Sequence, residues 1–201
     1  MTKFILASKS PRRKEILEGL GLKFEIITAY TDESCDKKDP RKYASELALR
    51  KAVTVFEKIK NDISDDTIII ASDTVVAAGG EILGKPKDKN DAKRMIALLS
   101  GKRHSVISGI ALVSKNIQIS DSEATGVIFD KVTESDLDLY VSTNEPYDKA
   151  GAYAIQGFAS MWITGIEGDY FNVVGLPVKK LRDMLLKYFG INLATLIDPN
   201  A

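Results

Sequence analysis

The sequence is poor in the two side chains that most often bind metals through sulfur or nitrogen. Its 201 residues include one cysteine, Cys35, and one histidine, His104. A single cysteine excludes an intramolecular disulfide and any cysteine-based zinc site. A single histidine excludes a site built from several imidazoles. A bound metal must therefore be held by oxygen ligands, which suits Mg²⁺ or Mn²⁺.

The sequence also lacks long apolar runs and an excess of charge of either sign. No apolar stretch approaches the roughly 20 residues of a membrane-spanning helix. The run 4–7 is too short for the apolar part of a signal peptide. The 28 basic residues balance 28 acidic ones, so no overall charge attracts nucleic acid or a membrane. We therefore expect a cytoplasmic protein with one domain, residues 1–201, in two lobes.

The apolar pattern predicts the order of strands and helices. The run 67–71 has no alternation, as in a central strand of an α/β sheet that is covered on both faces. Other strands are predicted at 4–7, 24–29, 81–83, 103–113, 125–129 and near 163–166. Helices are predicted to begin at Pro11, at Asp39 and Pro40, at Asp88 or Asn90, at Thr133 and at Pro177. The last helix is expected to bury Tyr188.

The first strand leads into a helix whose start can bind an anion. The polar loop 8–10 ends at Ser10, which is expected to cap the helix, and Pro11 suits its first turn. Arg12 and Arg13 lie in that turn, where the helix already carries partial positive charge. The natural occupant of such a site is a phosphate group. Two solvated surface arginines explain the pattern equally well when it is taken alone.

Four other polar residues stand in unusual surroundings. Asp73 interrupts the central strand, either satisfied by backbone N–H groups or presented to a ligand at a strand end. Lys51 lies beside the apolar stripe of its helix and could reach solvent or a cleft. Lys85 sits on a stiff turn between a glycine and a proline. Gln156 could match the edge of a base or satisfy a turn. Segment 145–153 mixes charges with glycine, proline and tyrosine, which indicates a site-forming loop.

These residues assemble no nucleophilic triad, but they suit a phosphate-binding enzyme that uses a divalent cation and water. Six blocks also follow one another in a recognisable order: LASKSPRR at 6–13, ASDTVV at 71–76, GKP at 84–86, LSG at 99–101 with His104, most of 145–157, and NVVGLP at 172–177. In order and spacing, between about residues 4 and 186, they resemble the Maf family of nucleoside triphosphate pyrophosphatases. Ser108 departs from the expected threonine but keeps the hydroxyl.

The resemblance implies an elongated mixed sheet flanked by helices, with a central cleft between two lobes, as in inosine triphosphate pyrophosphatases. It implies hydrolysis of a nucleoside triphosphate to the monophosphate and pyrophosphate with a divalent cation, Mg²⁺ or Mn²⁺, and a homodimer. The pattern at Gln156 is similar to the branch that acts on dTTP and UTP, with modified pyrimidine nucleotides as further substrates. Two alternatives stay open: the 7-methyl-GTP branch, and a non-catalytic nucleotide-binding regulator of septum formation. Neither nucleic acid nor a membrane is expected as a partner.

The resemblance also assigns roles to individual residues. Asp73 matches the proton acceptor. Glu33 is among the residues that line the triphosphate site, and our hypothesis for the mechanism adds a metal held by Glu33 and Asp73. Base choice is assigned to Arg12, Thr74 and Gln156. The triphosphate is assigned to a larger set of donors: Ser8, Arg12, Arg13, Lys51 and Lys85.

Overall fold

The structure, a computed structural model, describes residues 2–197. Its centre is a mixed sheet of seven strands. The strands are β1 (Lys3–Leu6), β2 (Phe24–Ile26), β3 (Thr67–Ala78), β4 (Glu81–Leu83), β5 (Arg103–Val113), β6 (Gln118–Phe129) and β7 (Ile163–Glu167). Their order in the sheet is β2-β1-β3-β5-β6-β7, with β4 added to β3. Strands β1, β2 and β3 are parallel, and the remaining pairs are antiparallel.

Helices flank this sheet, which confirms the predicted α/β class. They are α1 (Pro11–Gly19), α2 (Pro40–Ile59), α3 (Lys89–Leu99), α4 (Glu134–Tyr140), α5 (Tyr170–Val174) and α6 (Val178–Phe189). Short 3₁₀ segments occupy Glu145–Asp148, Ala150–Ala152, Phe158–Trp162 and Leu193–Thr195. Within residues 2–197, no helix combines the length and apolarity that a membrane crossing requires. The extent of the domain, 1–201 in two lobes, stays a prediction, and Met1 and residues 198–201 lie outside the described residues.

Three helix caps formed as the local sequence indicated. The Asp39 carboxylate accepts the N–H groups of the second and third residues of α2. Thr133 caps α4 in the same way, and Asp88 rather than Asn90 caps α3. Each cap satisfies backbone donors that have no partner within the helix. Ser10 does occupy the cap position of α1, but its side chain makes no capping bond.

Two other expectations about elements were wrong. Strand β6 begins at Gln118 rather than at residue 125, because its polar first half pairs with the second half of β5. Backbone pairing overrode the weak strand propensity of those residues. Tyr188 is 41% exposed, because α6 turns Leu181 and Leu185 to the core instead.

The two faces of the sheet are covered differently. Successive residues of β3 point to opposite faces. One face carries two apolar clusters: Ile70 packs with residues of α1 and α6, and Val76 packs with residues of α3 and α4. Helix α2 covers the other face, and it crosses so closely at Gly109 that an added Cβ would overlap the Ala44 carbonyl. Between the two clusters the sheet presents the hydroxyls of Thr74 and Ser108.

The edge of β3 is open between two short partner strands. Strand β1 pairs with residues 67–70 and β4 pairs with residues 76–78, so the stretch 71–75 faces a gap. Asp73 lies in the middle of this stretch. Of the two alternatives for Asp73, a position at the end of its own strand is not what the structure shows, because β3 continues through Asp73 to Ala78. The neighbouring strand β1 is the one that ends beside the gap, so ligand-binding groups collect there.

Candidate active site

A cleft of about 710 Å³ opens at this gap, a size that suits a small-molecule ligand. Its walls come from the loop after β1, from α2, from the middle of β3, from the turn after β4 and from the segment after α4. All nine residues that the sequence assigned to a site line it: Ser8, Arg12, Arg13, Glu33, Lys51, Asp73, Thr74, Lys85 and Gln156. The roles given to them stay predictions at this point.

Lys51 bridges two carboxylates on one side of the cleft. Its Nζ donates to Asp73 Oδ1 at 2.5 Å and lies 2.7 Å from Glu33 Oε1. The Lys51 and Asp73 side chains are only 18% and 12% exposed. Of the two alternatives for Lys51, the structure selects the cleft, because α2 lies directly across the face of β3 from which Asp73 projects.

Nearby cations favour the charged form of Glu33. The hydrogen bond from Lys51 is the largest cause that lowers the pKa of Glu33 below its ordinary 4.5, and Lys85 and Arg13 lower that pKa further. With both carboxylates and the ammonium ionised, the cluster carries one net negative charge. It is therefore suited to hold a cation or to accept a proton, rather than to bind phosphate by itself.

Arg13 uses its guanidinium to tie three segments together. Nε donates to the Gly175 carbonyl at 2.9 Å, Nη1 donates to Ser8 Oγ at 3.1 Å, and Nη2 donates to Thr74 Oγ1 at 3.2 Å. Burial lowers the pKa of Arg13 below its ordinary value, against the attraction of Asp73, but a guanidinium keeps its charge in proteins. Ser8 Oγ also accepts the Ser10 N–H, so Arg13 fixes the loop that begins α1.

The hydroxyl of Thr74 is committed to neighbouring protein groups. It accepts from Arg13 and lies 2.8 Å from Ser108 Oγ. Because Ser108 Oγ donates its own proton to the Asn172 carbonyl, Thr74 is the donor of that 2.8 Å bond. Ser108, which stands where a threonine was expected, thus supplies the hydroxyl that this chain of bonds requires. An effect of Thr74 on base choice would act through Arg13.

Arg12 and Gln156, the other residues assigned to base choice, line the same cleft and each contact a neighbouring side chain. Arg12 Nη1 lies 3.8 Å from Asp148 Oδ2, and Gln156 Nε2 donates to the Tyr170 hydroxyl at 3.1 Å. Burial raises the pKa of Asp148, but the hydrogen bond and charge of Lys149 together with the charge of Arg12 outweigh it, so the net shift is downward. Sequence reasoning marked the loop that contains Asp148 but gave that residue no role. It missed Tyr170, since a lone tyrosine at a helix start carries no signal of its own.

The cleft suits a divalent cation that is shared with a ligand. Within residues 2–197, no group of three histidine, cysteine, aspartate or glutamate side chains could hold a metal alone. Asp73 and Glu33 nevertheless bring two carboxylates to one lysine. Mg²⁺ is commonly bound by one or two carboxylates together with substrate phosphates. The donors present fit that arrangement.

Comparison with known proteins agrees with this geometry. Residues 3–188 match the family described as Maf-like protein. The chain belongs to the Maf family. Family relatives named dTTP/UTP pyrophosphatase occur in Caldanaerobacter subterraneus subsp. tengcongensis and in Alkaliphilus metalliredigens. Each is 47% identical, over 94% of this chain and 90% of the relative in the first case and over 96% and 100% in the second. Another relative of that name, in Clostridioides difficile, is 44% identical over 94% of this chain and 96% of its own. The family resemblance that the motifs indicated is confirmed.

Proposed function

We propose that this Maf protein hydrolyses dTTP and UTP, and modified pyrimidine nucleotides of the same shape, to the monophosphate and pyrophosphate. The observation that carries the proposal is the cluster of Lys51, Asp73 and Glu33 in a cleft beside the start of α1. Relatives at 44–47% identity, matched over 90–100% of their length, carry the name of this activity. The cleft volume and its many cationic donors suit a nucleoside triphosphate.

Asp73 is the group that we assign to proton transfer. Lys51 engages its Oδ1, which leaves Oδ2 for the attacking water. As the water oxygen bonds to the α-phosphorus, Asp73 takes up the water proton, and the bond from the α-phosphorus to the bridging oxygen breaks. Pyrophosphate leaves with the electron pair of that bond. A positioned carboxylate in this role contributes about a hundredfold or more to the rate.

The remaining polar residues neutralise and hold the phosphates. Arg12 and Lys85 offer cationic groups that line the cleft, Ser8 lies at the start of α1, and Lys51 can pass from the carboxylates to a phosphate. Arg13 contributes its charge and the placement of Ser8. A Mg²⁺ or Mn²⁺ ion bound to Asp73, Glu33 and the nucleotide would supply further neutralisation of phosphate charge.

We assign base choice to Arg12 and Gln156, which both line the cleft. Uracil and thymine present an N–H between two carbonyl oxygens, and a side-chain amide offers both a donor and an acceptor to that edge. We further propose, from the family resemblance, a homodimer in the cytoplasm. The balanced charge gives no reason to add a nucleic acid or membrane partner.

A panel assay tests the proposal. The protein is incubated with Mg²⁺ or Mn²⁺ and single nucleoside triphosphates, and pyrophosphate is measured. Release from dTTP and UTP is expected. Release from 7-methyl-GTP alone would support the other branch, and no release would support a nucleotide-binding regulator.

The variant Asp73→Asn tests the assigned proton acceptor. Its rate with dTTP is expected to fall about a hundredfold or more, because the amide cannot take up the water proton. Asp183→Asn, on the exposed side of α6, is the matched control and should keep the parent rate. Hydrolysis by Asp73→Asn at the parent rate would show that the proton acceptor is another group.

A further inference from the structure

The carboxylate of Glu145 joins two parts of the segment after α4, which supplies one wall of the cleft. Its Oε2 accepts the Phe158 N–H at 2.9 Å, and its Oε1 accepts the Ala159 N–H at 3.3 Å. The Tyr140 hydroxyl also donates to Oε1, at 3.4 Å. Phe158 and Ala159 open the 3₁₀ segment that directly follows the turn bearing Gln156. Glu145 thus fixes the exit of that turn with charge-assisted hydrogen bonds, which are stronger than neutral ones.

Gly157 makes this close approach possible. Its φ of +108° lies in a region that L-residues rarely adopt. A Cβ added there would lie 2.8 Å from Glu145 Oε2. The residue next to Gln156 is therefore shaped to receive the Glu145 carboxylate, and a side chain at this position would push the two segments apart.

The segment that carries Glu145 also faces Arg12. Lys149 Nζ donates to the Glu145 carbonyl at 2.7 Å and to Asp148 Oδ1 at 2.5 Å. The second oxygen of Asp148 lies 3.8 Å from Arg12. The short turn Glu145–Asp148 therefore contacts both sides. Its first residue bonds to the segment that follows Gln156, and its last residue lies beside Arg12.

We propose that Glu145 is a positioning residue for base recognition: its bonds to Phe158 and Ala159 set where Gln156 stands relative to Arg12. This inference rests on the proposed function, in which Arg12 and Gln156 read the base. Glu145 itself acts through the turn and contacts no reacting atom. Removal of the Glu145 carboxylate is expected to weaken binding of the base and to leave binding of the phosphates unchanged.

The variant Glu145→Gln tests this assignment by comparing two ligands. In glutamine an NH₂ group replaces one of the two carboxylate oxygens. This NH₂ group cannot accept the backbone N–H that the oxygen accepted, so the turn must shift. Titration calorimetry with Mg²⁺ compares the α,β-imido analogue of dTTP, which carries the base, with pyrophosphate, which does not. Affinity for the analogue is expected to fall about tenfold, the size of one lost hydrogen bond, and affinity for pyrophosphate to stay within about twofold.

A second variant and a control accompany this measurement. Gly157→Ala should give the same selective loss by displacing Glu145, and it keeps the test decisive if Glu145→Gln does not fold. Glu167→Gln, on β7, is the matched control, since it breaks an ion pair with Arg103 on β5 and leaves the cleft untouched. It should change neither affinity.

The outcomes are separable. A loss of affinity for the analogue without a loss of affinity for pyrophosphate supports the assignment. Equal loss of both ligands would mean that Glu145 serves only the stability of the fold, and no loss of either would mean that the turn does not depend on it; both results overturn the proposal. A parent protein that binds the analogue but releases no pyrophosphate from dTTP or UTP contradicts the proposed function alone.

Discussion

The pair of Lys51 and Asp73 should contribute measurably to stability, as well as to catalysis. Their charged atoms are 2.5 Å apart, and both side chains are mostly buried. At an effective dielectric constant of about 20, charges at this distance attract by about 7 kcal/mol. Removal of both groups from water offsets most of that attraction. A net coupling of about 1–3 kcal/mol is therefore expected, the usual range for residues in direct contact.

A double-mutant cycle measures this coupling. Lys51→Met leaves Asp73 and Glu33 close together without their shared cation, and it should lower the free energy of unfolding by about 2–4 kcal/mol. Asp73→Asn should cost less, because Lys51 keeps its contact with Glu33. The double variant should be more stable than the sum of the two losses predicts, by about 1–3 kcal/mol. Equilibrium unfolding in urea gives each value from the transition midpoint and slope.

An exposed ion pair provides the reference for this cycle. Lys3 and Glu25 are 2.9 Å apart, but both side chains are more than half exposed. Solvent screens such pairs, so their coupling should not exceed about 1 kcal/mol. The reasoning about Lys51 and Asp73 would be refuted if their two losses added to within about 0.5 kcal/mol.

Three further predictions follow from buried groups. Burial lowers the pKa of His104 to about 4 from 6.5. Below about pH 6.5 the imidazole therefore binds a proton in the unfolded chain but not in the folded chain. The free energy of unfolding falls as the pH drops from about 6.5 to about 4, by up to about 3 kcal/mol. Between these pH values the free energy of unfolding of His104→Gln, measured in urea, should fall by about 3 kcal/mol less than that of the parent. Arg13→Lys should lower the free energy of unfolding by about 3 kcal/mol, because one ammonium cannot reach three separate acceptors. Gly109→Ala should unfold the protein or cost more than about 4 kcal/mol, since its Cβ would overlap the Ala44 carbonyl.

Each of these has a contrasting result. Equal pH dependence in His104→Gln and the parent would show that His104 titrates normally. Full stability of Arg13→Lys would show that the three bonds are dispensable. Gly19→Ala, where an added Cβ meets no atom within 4 Å, is the control for Gly109→Ala and should keep the parent unfolding midpoint in urea.

The sequence was most informative where an element depends on its own neighbours. Asp39 and Thr133 were recognised as caps because a cap bonds to backbone two or three residues away. The same reasoning failed at Ser10, whose side chain makes no capping bond although its own N–H donates to Ser8 Oγ. It also failed for the first half of β6, since those polar residues are held by the partner strand β5 rather than by their own propensity.

For the candidate site, the sequence named the members and the structure showed how they meet. All nine assigned residues line one cleft, although they come from widely separated parts of the chain. The motif order made that selection possible. No local rule could show that Lys51 reaches Asp73 rather than solvent. Nor could it show that the Arg13 guanidinium donates to the carbonyl of Gly175, 162 residues away.

The sequence alone thus determined the α/β class, the Maf family and the set of polar residues that gather at the cleft. These follow from apolar runs, caps and motif order, which are properties of short stretches of chain. Only the tertiary structure decided that Asp73 lies within a continuous strand beside a gap, and that Glu145 holds the Gln156 turn. Both depend on contacts between distant segments, whose geometry is fixed by packing of the whole sheet and its helices.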